Sequence, residues 1–163
     1  GGSIQNRTRF LLEVVDAITA EIGAGRTGVR ISPTNNVFGI TDSNPEDLFS
    51  YVAAQLSKRD LAFLHVLEPK QGTEHSMSTD QPNVADKIRA HYNGLLVLNG
   101  GLDHEKGSAA LANKECDAVA IGMPFIANPD LVERYADGIE LSQPDPTTFY
   151  AGGEEGYTSY PAA

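Results

Sequence analysis

The sequence predicts an α/β fold: about four βα units, half of a (β/α)8 barrel, followed by an irregular C-terminal tail. Three observations predict it. Helical and strand patterns alternate along the chain at short spacing. The strands are nearly fully apolar, as in parallel sheets covered on both faces. Two glycine turns close the last two strands, at Leu95-Leu96-Val97-Leu98-Asn99-Gly100-Gly101 and at Ala118-Val119-Ala120-Ile121-Gly122, the latter running on into Met123-Pro124-Phe125. A doubly wound sheet is the rival architecture. It places a G-x-G-x-x-G turn after its first strand, whereas these turns come late, where a barrel holds phosphate.

The elements follow in order. Asn6 to Ile22 carries Phe10, Leu11, Val14, Val15, Ile18 and Ile22 at helical spacing, and Gly23 and Gly25 end it. Thr27 to Pro33 reads as a strand stopped by proline. Thr34 to Asp42 is an Asn- and Gly-rich loop. Ser43-Asn44-Pro45-Glu46-Asp47 starts a helix, with Asn44 as N-cap, Pro45 at the first helical position and acids at the positive end of the dipole. Leu48, Phe49, Val52 and Leu56 form its buried side. Leu61 to Leu67 is the second strand, closed by Glu68-Pro69, and Lys70 to Pro82 is a polar surface loop. A helix from Asn83 to Tyr92 precedes the strand Leu95 to Leu98. Asp103 caps a helix to Asn113 that turns Ala109, Ala110 and Leu111 inward. Asp117 to Ile121 is the fourth strand, and Asn128-Pro129-Asp130 opens a helix to about Tyr135. The half barrel is expected over residues 1–135, with residues 136–163 as a tail packing on it.

The chain has 163 residues, enough for a sizeable core, and 12 Lys plus Arg against 22 Asp plus Glu, a formal charge of −10. That balance excludes a general nucleic-acid binder, which needs a basic face, but leaves room for a local anion site. The single cysteine, Cys116, permits no intramolecular disulfide and reads as a buried thiol rather than a nucleophile. No apolar run approaches a membrane span and no signal peptide opens the chain, so a cytoplasmic location and no membrane partner are expected. The start Gly1-Gly2-Ser3 lacks Met, which suggests a piece of something longer or a processed chain.

Few residues point to chemistry unaided. Gly100 and Gly101 suit either a plain βα turn that needs φ > 0 or a phosphate cradle of free backbone N–H groups, and Asn99 satisfies the same turn. Two such turns on adjacent strands suggest one phosphate held by both. Arg30 lies near the end of a strand, where an inward cation needs an anion, supplied either by a neighbouring acid or by a ligand. His65, His75, His91 and His104 show no i, i+4 pair and no H-E-x-x-H, so no metal is expected, and His65 reads as a satisfied wall residue. Ser32, Ser43 and Ser76 have no G-x-S-x-G context and imply no hydrolase triad.

Several stretches resemble the Old Yellow Enzyme family of FMN-dependent ene-reductases. They are Gly1-Gly2-Ser3-Ile4-Gln5-Asn6-Arg7, Gly28-Val29-Arg30-Ile31-Ser32-Pro33, Leu64-His65-Val66-Leu67-Glu68-Pro69, Asn99-Gly100-Gly101, Pro124 to Leu131 and Gly156-Tyr157-Thr158-Ser159-Tyr160-Pro161. They run in the family's order along the whole chain, and imply barrel strands five to eight plus the C-terminal tail. The resemblance implies FMN as cofactor, NAD(P)H as hydride donor, and reduction of activated C=C bonds in α,β-unsaturated carbonyls, maleimides and nitro compounds. It implies that Arg30 meets the N1/O2 edge of the flavin, that Asn99, Gly100, Gly101, Gly122 and Met123 lie at the phosphate, and that Tyr150 packs beside flavin and substrate. An aromatic that anchors the tail is the other reading of Tyr150. Two departures stand out. The family's proton-donor tyrosine, its His-plus-His/Asn pair and a Thr and Gln at the flavin belong to the first half, so no catalytic residue is expected in this chain. Met123 replaces the family's phosphate-pairing Arg, a loss worth about 1.5–3 kcal/mol of cofactor binding. The expected partner is an N-terminal half barrel, strands one to four. The alternative is a non-catalytic half barrel that self-associates and at most binds FMN or phosphate weakly.

Overall fold

A computed structural model of the chain describes residues 1–35, 39–68, 81–150 and 153–163. These divide into two units, Gly1–Ala120 and Ile121–Ala163. The first contains α1 (Ile4–Ile22), β1 (Gly28–Ile31), α2 (Pro45–Leu56), β2 (Phe63–Leu67), α3 (Ala85–His91), β3 (Leu96–Asn99), α4 (His104–Ala112) and β4 (Ala118–Ala120). The second contains α5 (Met123–Ala127), α6 (Leu131–Asp137) and a 3-10 turn at Pro146–Thr148.

The strands form one sheet in the order β1-β2-β3-β4, each pair parallel. Spatial order equals sequence order, with no switch point. This excludes the doubly wound rival, whose strand order reverses, and matches four consecutive units of a (β/α)8 barrel.

Local chemistry sets the helix starts. The Ser3 hydroxyl accepts the Asn6 N–H (3.3 Å), Asn44 accepts the Asp47 N–H (3.2 Å) ahead of Pro45, and Asp103 accepts the Lys106 N–H (2.8 Å). Gly23 ends α1 at φ +91°, a conformation that favours glycine.

The core lies on one face of the sheet. Val29, Ile31, Leu64, Val66 and Leu96 pack against Val15 of α1, Val52 and Leu56 of α2, and Ile88 of α3. The opposite face leaves Arg30 and Phe63 exposed and His65 half-buried but buries Leu67, so among the described residues it is only partly covered. Side chains alternate along these short strands, and a helix layer on one side buries only every second residue.

The same asymmetry corrects two expected apolar faces. On α1, Val15 is buried, but Phe10 (76% exposed), Val14, Ile18 and Ile22 form an outward stripe at four-residue spacing. On α4, Gly107 and Ala110 face inward, whereas Ala109 and Leu111 are exposed.

In the second unit, Asn128 does not N-cap the following helix as its Asn-Pro-Asp context suggests; it stands at the C-terminal end of α5, and Asp130 precedes α6. The buried Asn128 side chain donates to the carbonyls of Pro124 (2.8 Å) and Ser142 (3.0 Å) and accepts the Ser142 N–H (2.8 Å). Asp130 pairs with Arg134 (2.7 Å) and accepts the Ala163 N–H (2.7 Å), which ties the end of the chain to the start of α6. The expected loop at residues 70–82 lies almost entirely outside the described residues, as does the centre of the loop at 34–42.

Candidate functional site

Arg30 is the third residue of β1 and stands on the exposed face. Among the described residues it makes no hydrogen bond or ion pair, so no described acid neutralises it. Its partner in the ladder is His65, and the same row continues through Val97 to Ala118. One pleat further on, Leu67, Asn99 and Ala120 share that face. From the spacings of a parallel sheet, Arg30 and Asn99 stand roughly 12 Å apart, two strands across and two residues along.

His65 is not the satisfied wall residue expected. Its Nε2 is buried with no hydrogen-bond partner among the described residues. Burial, and then the charge of Arg30, push its pKa below the usual histidine value and hold the ring neutral.

Asn99 ends β3 and donates from Nδ2 to the Ala120 carbonyl (2.6 Å), which clips the exits of β3 and β4 together. Gly100 and Gly101 follow at φ +125° and +68°. Among the described residues neither donates its backbone N–H, so within them the turn presents two unpaired amides at a strand exit. Two amides and a cation that have no partner among the described residues, all on one sheet, fit a group that carries a phosphate and a second electron-rich edge.

This turn is held from behind by a residue not anticipated as functional. A Cβ on Gly100 would overlap the carbonyl oxygen of Glu68. Glu68 is buried; its carboxylate accepts the N–H groups of Val84 (2.7 Å) and Ala85 (3.0 Å), and its own N–H donates to the Asn99 carbonyl (3.0 Å). Burial is the main influence on its carboxyl and raises its pKa against the two amides that lower it. The signal was an acid directly after the apolar run Leu64 to Leu67, where a carboxylate needs partners.

The remaining candidates belong to the second unit. Gly122 has φ −106° and open space where a side chain would stand, so it is not required there by backbone conformation. Met123 opens α5 and is 43% exposed. Tyr150 is 99% exposed, and its ring meets that of Phe149 edge-on at 6.3 Å. Cys116 is buried and its thiol is pushed up by burial, as a structural cysteine should be. Among the described residues, no three His, Cys, Asp or Glu side chains gather in a metal-holding group; His75 and Ser76 lie outside them. Nor is any described helix long and apolar enough to cross a membrane.

Residues 1–142 match the model of the NADH:flavin oxidoreductase / NADH oxidase family. The chain belongs to this family. Within it, the "Probable flavin mononucleotide-dependent alkene reductase" of Leishmania infantum is 43% identical over 162 residues, 99% of this chain and 42% of that protein. The old yellow enzyme homologue from Zymomonas mobilis superposes with a TM-score of 0.95 at 39% identity, covering 100% of this chain and 46% of the other. Morphinone reductase in complex with tetrahydroNAD gives 0.88 at 45% identity, covering 100% and 43%. The chain therefore spans less than half the length of these family members, and its four-stranded sheet is half of their barrel.

Proposed function

We propose that this chain is the flavin-holding C-terminal half of an FMN-dependent NAD(P)H oxidoreductase that reduces activated C=C bonds in α,β-unsaturated carbonyls, maleimides and nitro compounds. The observation that carries this reading is Arg30: a cation without a partner among the described residues, on the open face of the sheet, in a chain of a flavin oxidoreductase family. Arg30 holds the electron-rich edge of the flavin and favours its reduced form. The amides of Gly100 and Gly101, with Asn99 setting the turn, hold the phosphate. Gly122 and Met123 offer backbone N–H groups of their own, and Tyr150 is assigned to the substrate side. When bound, FMN takes hydride from reduced nicotinamide and passes it to the alkene.

No residue of this chain is assigned the proton transfer; a complementary N-terminal half supplies it. The outward stripe of α1 and the partly covered sheet face support a partner of that kind, because burying them removes apolar surface from water. They equally favour the second reading, in which the chain closes by self-association and holds flavin weakly without turnover.

Titrating FMN and riboflavin into the chain, alone and mixed with the N-terminal half of a relative, tests the proposal. FMN fluorescence quenching with clear preference over riboflavin, and enone-dependent NAD(P)H oxidation only in the mixture, are expected. Flavin binding in neither preparation overturns the cofactor assignment. Binding without turnover in the mixture leaves the second reading.

A further inference from the structure

We infer that Glu68 is the positioning residue that shapes the Asn99–Gly100–Gly101 turn, an assignment that rests on the proposal that this turn holds a phosphate. Two other segments meet at this one residue: its carboxylate takes the Val84 and Ala85 N–H groups at the start of α3, its N–H holds the Asn99 carbonyl, and its carbonyl lies against Gly100.

The order of dependence follows from these contacts. A buried carboxylate pinned by two amides cannot turn toward water without abandoning both bonds. That fixes the Glu68 main chain at the end of β2. The fixed main chain then dictates where β3 ends, through the Asn99 carbonyl, and leaves Gly100 room only as glycine at φ +125°. The Gly100 and Gly101 amides, unpaired among the described residues, are thus aimed by a side chain directed to α3 and not to the turn itself. Leu98, Lys106, Asp86 and Glu115 line the same cleft, of about 510 Å³, beside Glu68.

A plain cap of α3 is the competing role, and amide resonances separate the two. In Glu68→Gln, the shape is kept but one acceptor becomes a donor facing an N–H. If Glu68 positions the turn, the Gly100 and Gly101 resonances shift and their exchange accelerates together with Val84 and Ala85. Preference for FMN over riboflavin falls at least tenfold, with riboflavin affinity unchanged. Changes confined to Val84 and Ala85 overturn the assignment. Acidifying the wild-type chain repeats the test without a variant: on protonation of Glu68, which the neighbouring negative charge of Asp86 favours, the Gly100 and Gly101 resonances move with those of Val84 and Ala85 at one midpoint. Independent movement overturns it. If the wild-type chain binds FMN and riboflavin equally, the phosphate reading of the turn fails, while the resonances still decide what Glu68 does.

Discussion

Arg30 and His65 stand opposite each other in the β1–β2 ladder, a cation beside a histidine whose Nε2 is buried without a partner among the described residues. The folded chain therefore binds the His65 proton less readily than the unfolded chain, where the ring titrates near about 6.5. The stability this contributes is fully present above that value and is lost as pH falls through it toward the lower folded value. His65→Leu should flatten this part of the pH–stability curve. Arg30→Gln should return the His65 pKa only part of the way, because burial is the larger cause. Histidine proton resonances followed across pH, with denaturation at each pH, check both statements; an unperturbed His65 titration would refute them.

Two glycines make a matched pair of substitutions. Gly100→Ala places a methyl group on the Glu68 carbonyl at a φ that L residues rarely adopt, which should cost about 2–4 kcal/mol. Gly122→Ala meets open space at an ordinary φ and should stay within about 0.5 kcal/mol of wild type. Urea denaturation of both variants measures the contrast.

Met123→Arg adds a guanidinium at the start of α5. If the phosphate lies there, FMN binding should tighten roughly tenfold or more, as for a charge-assisted hydrogen bond, and riboflavin binding should not change. Equal effects on the two flavins would mean that the phosphate is held without this position.

The outward stripe of α1 predicts association. Phe10→Glu should weaken binding to a complementary half, or to a second copy, at least tenfold, since burying a Phe side chain is worth about 1.5–3 kcal/mol. Sedimentation velocity of wild type and variant reads this out. A wild-type chain that stays monomeric alone and in the mixture would refute it.

The repeating architecture was legible because its signals are local. Asn44-Pro45 and Asp103 start helices by chemistry contained in a few residues, and apolar runs such as Leu64 to Leu67 mark strands without reference to anything distant. Which face of a helix is covered is a different kind of fact. Phe10 and Val15 belong to one apolar pattern, yet only Val15 meets the core, because burial depends on what stands opposite. The short α5, hidden in Met123-Pro124-Phe125-Ile126-Ala127, has too few residues to show a period. At the candidate site, Arg30 and the glycine turn could be named from residue type and place. The contribution of Glu68 could not, because all of its partners come from later in the chain: Val84, Ala85, Asn99 and Gly100.

The strand order β1-β2-β3-β4 also bears on how the sheet comes to exist. Each strand's first partner is the next one to leave the ribosome, so no strand waits for a distant mate and none must be inserted between two already paired.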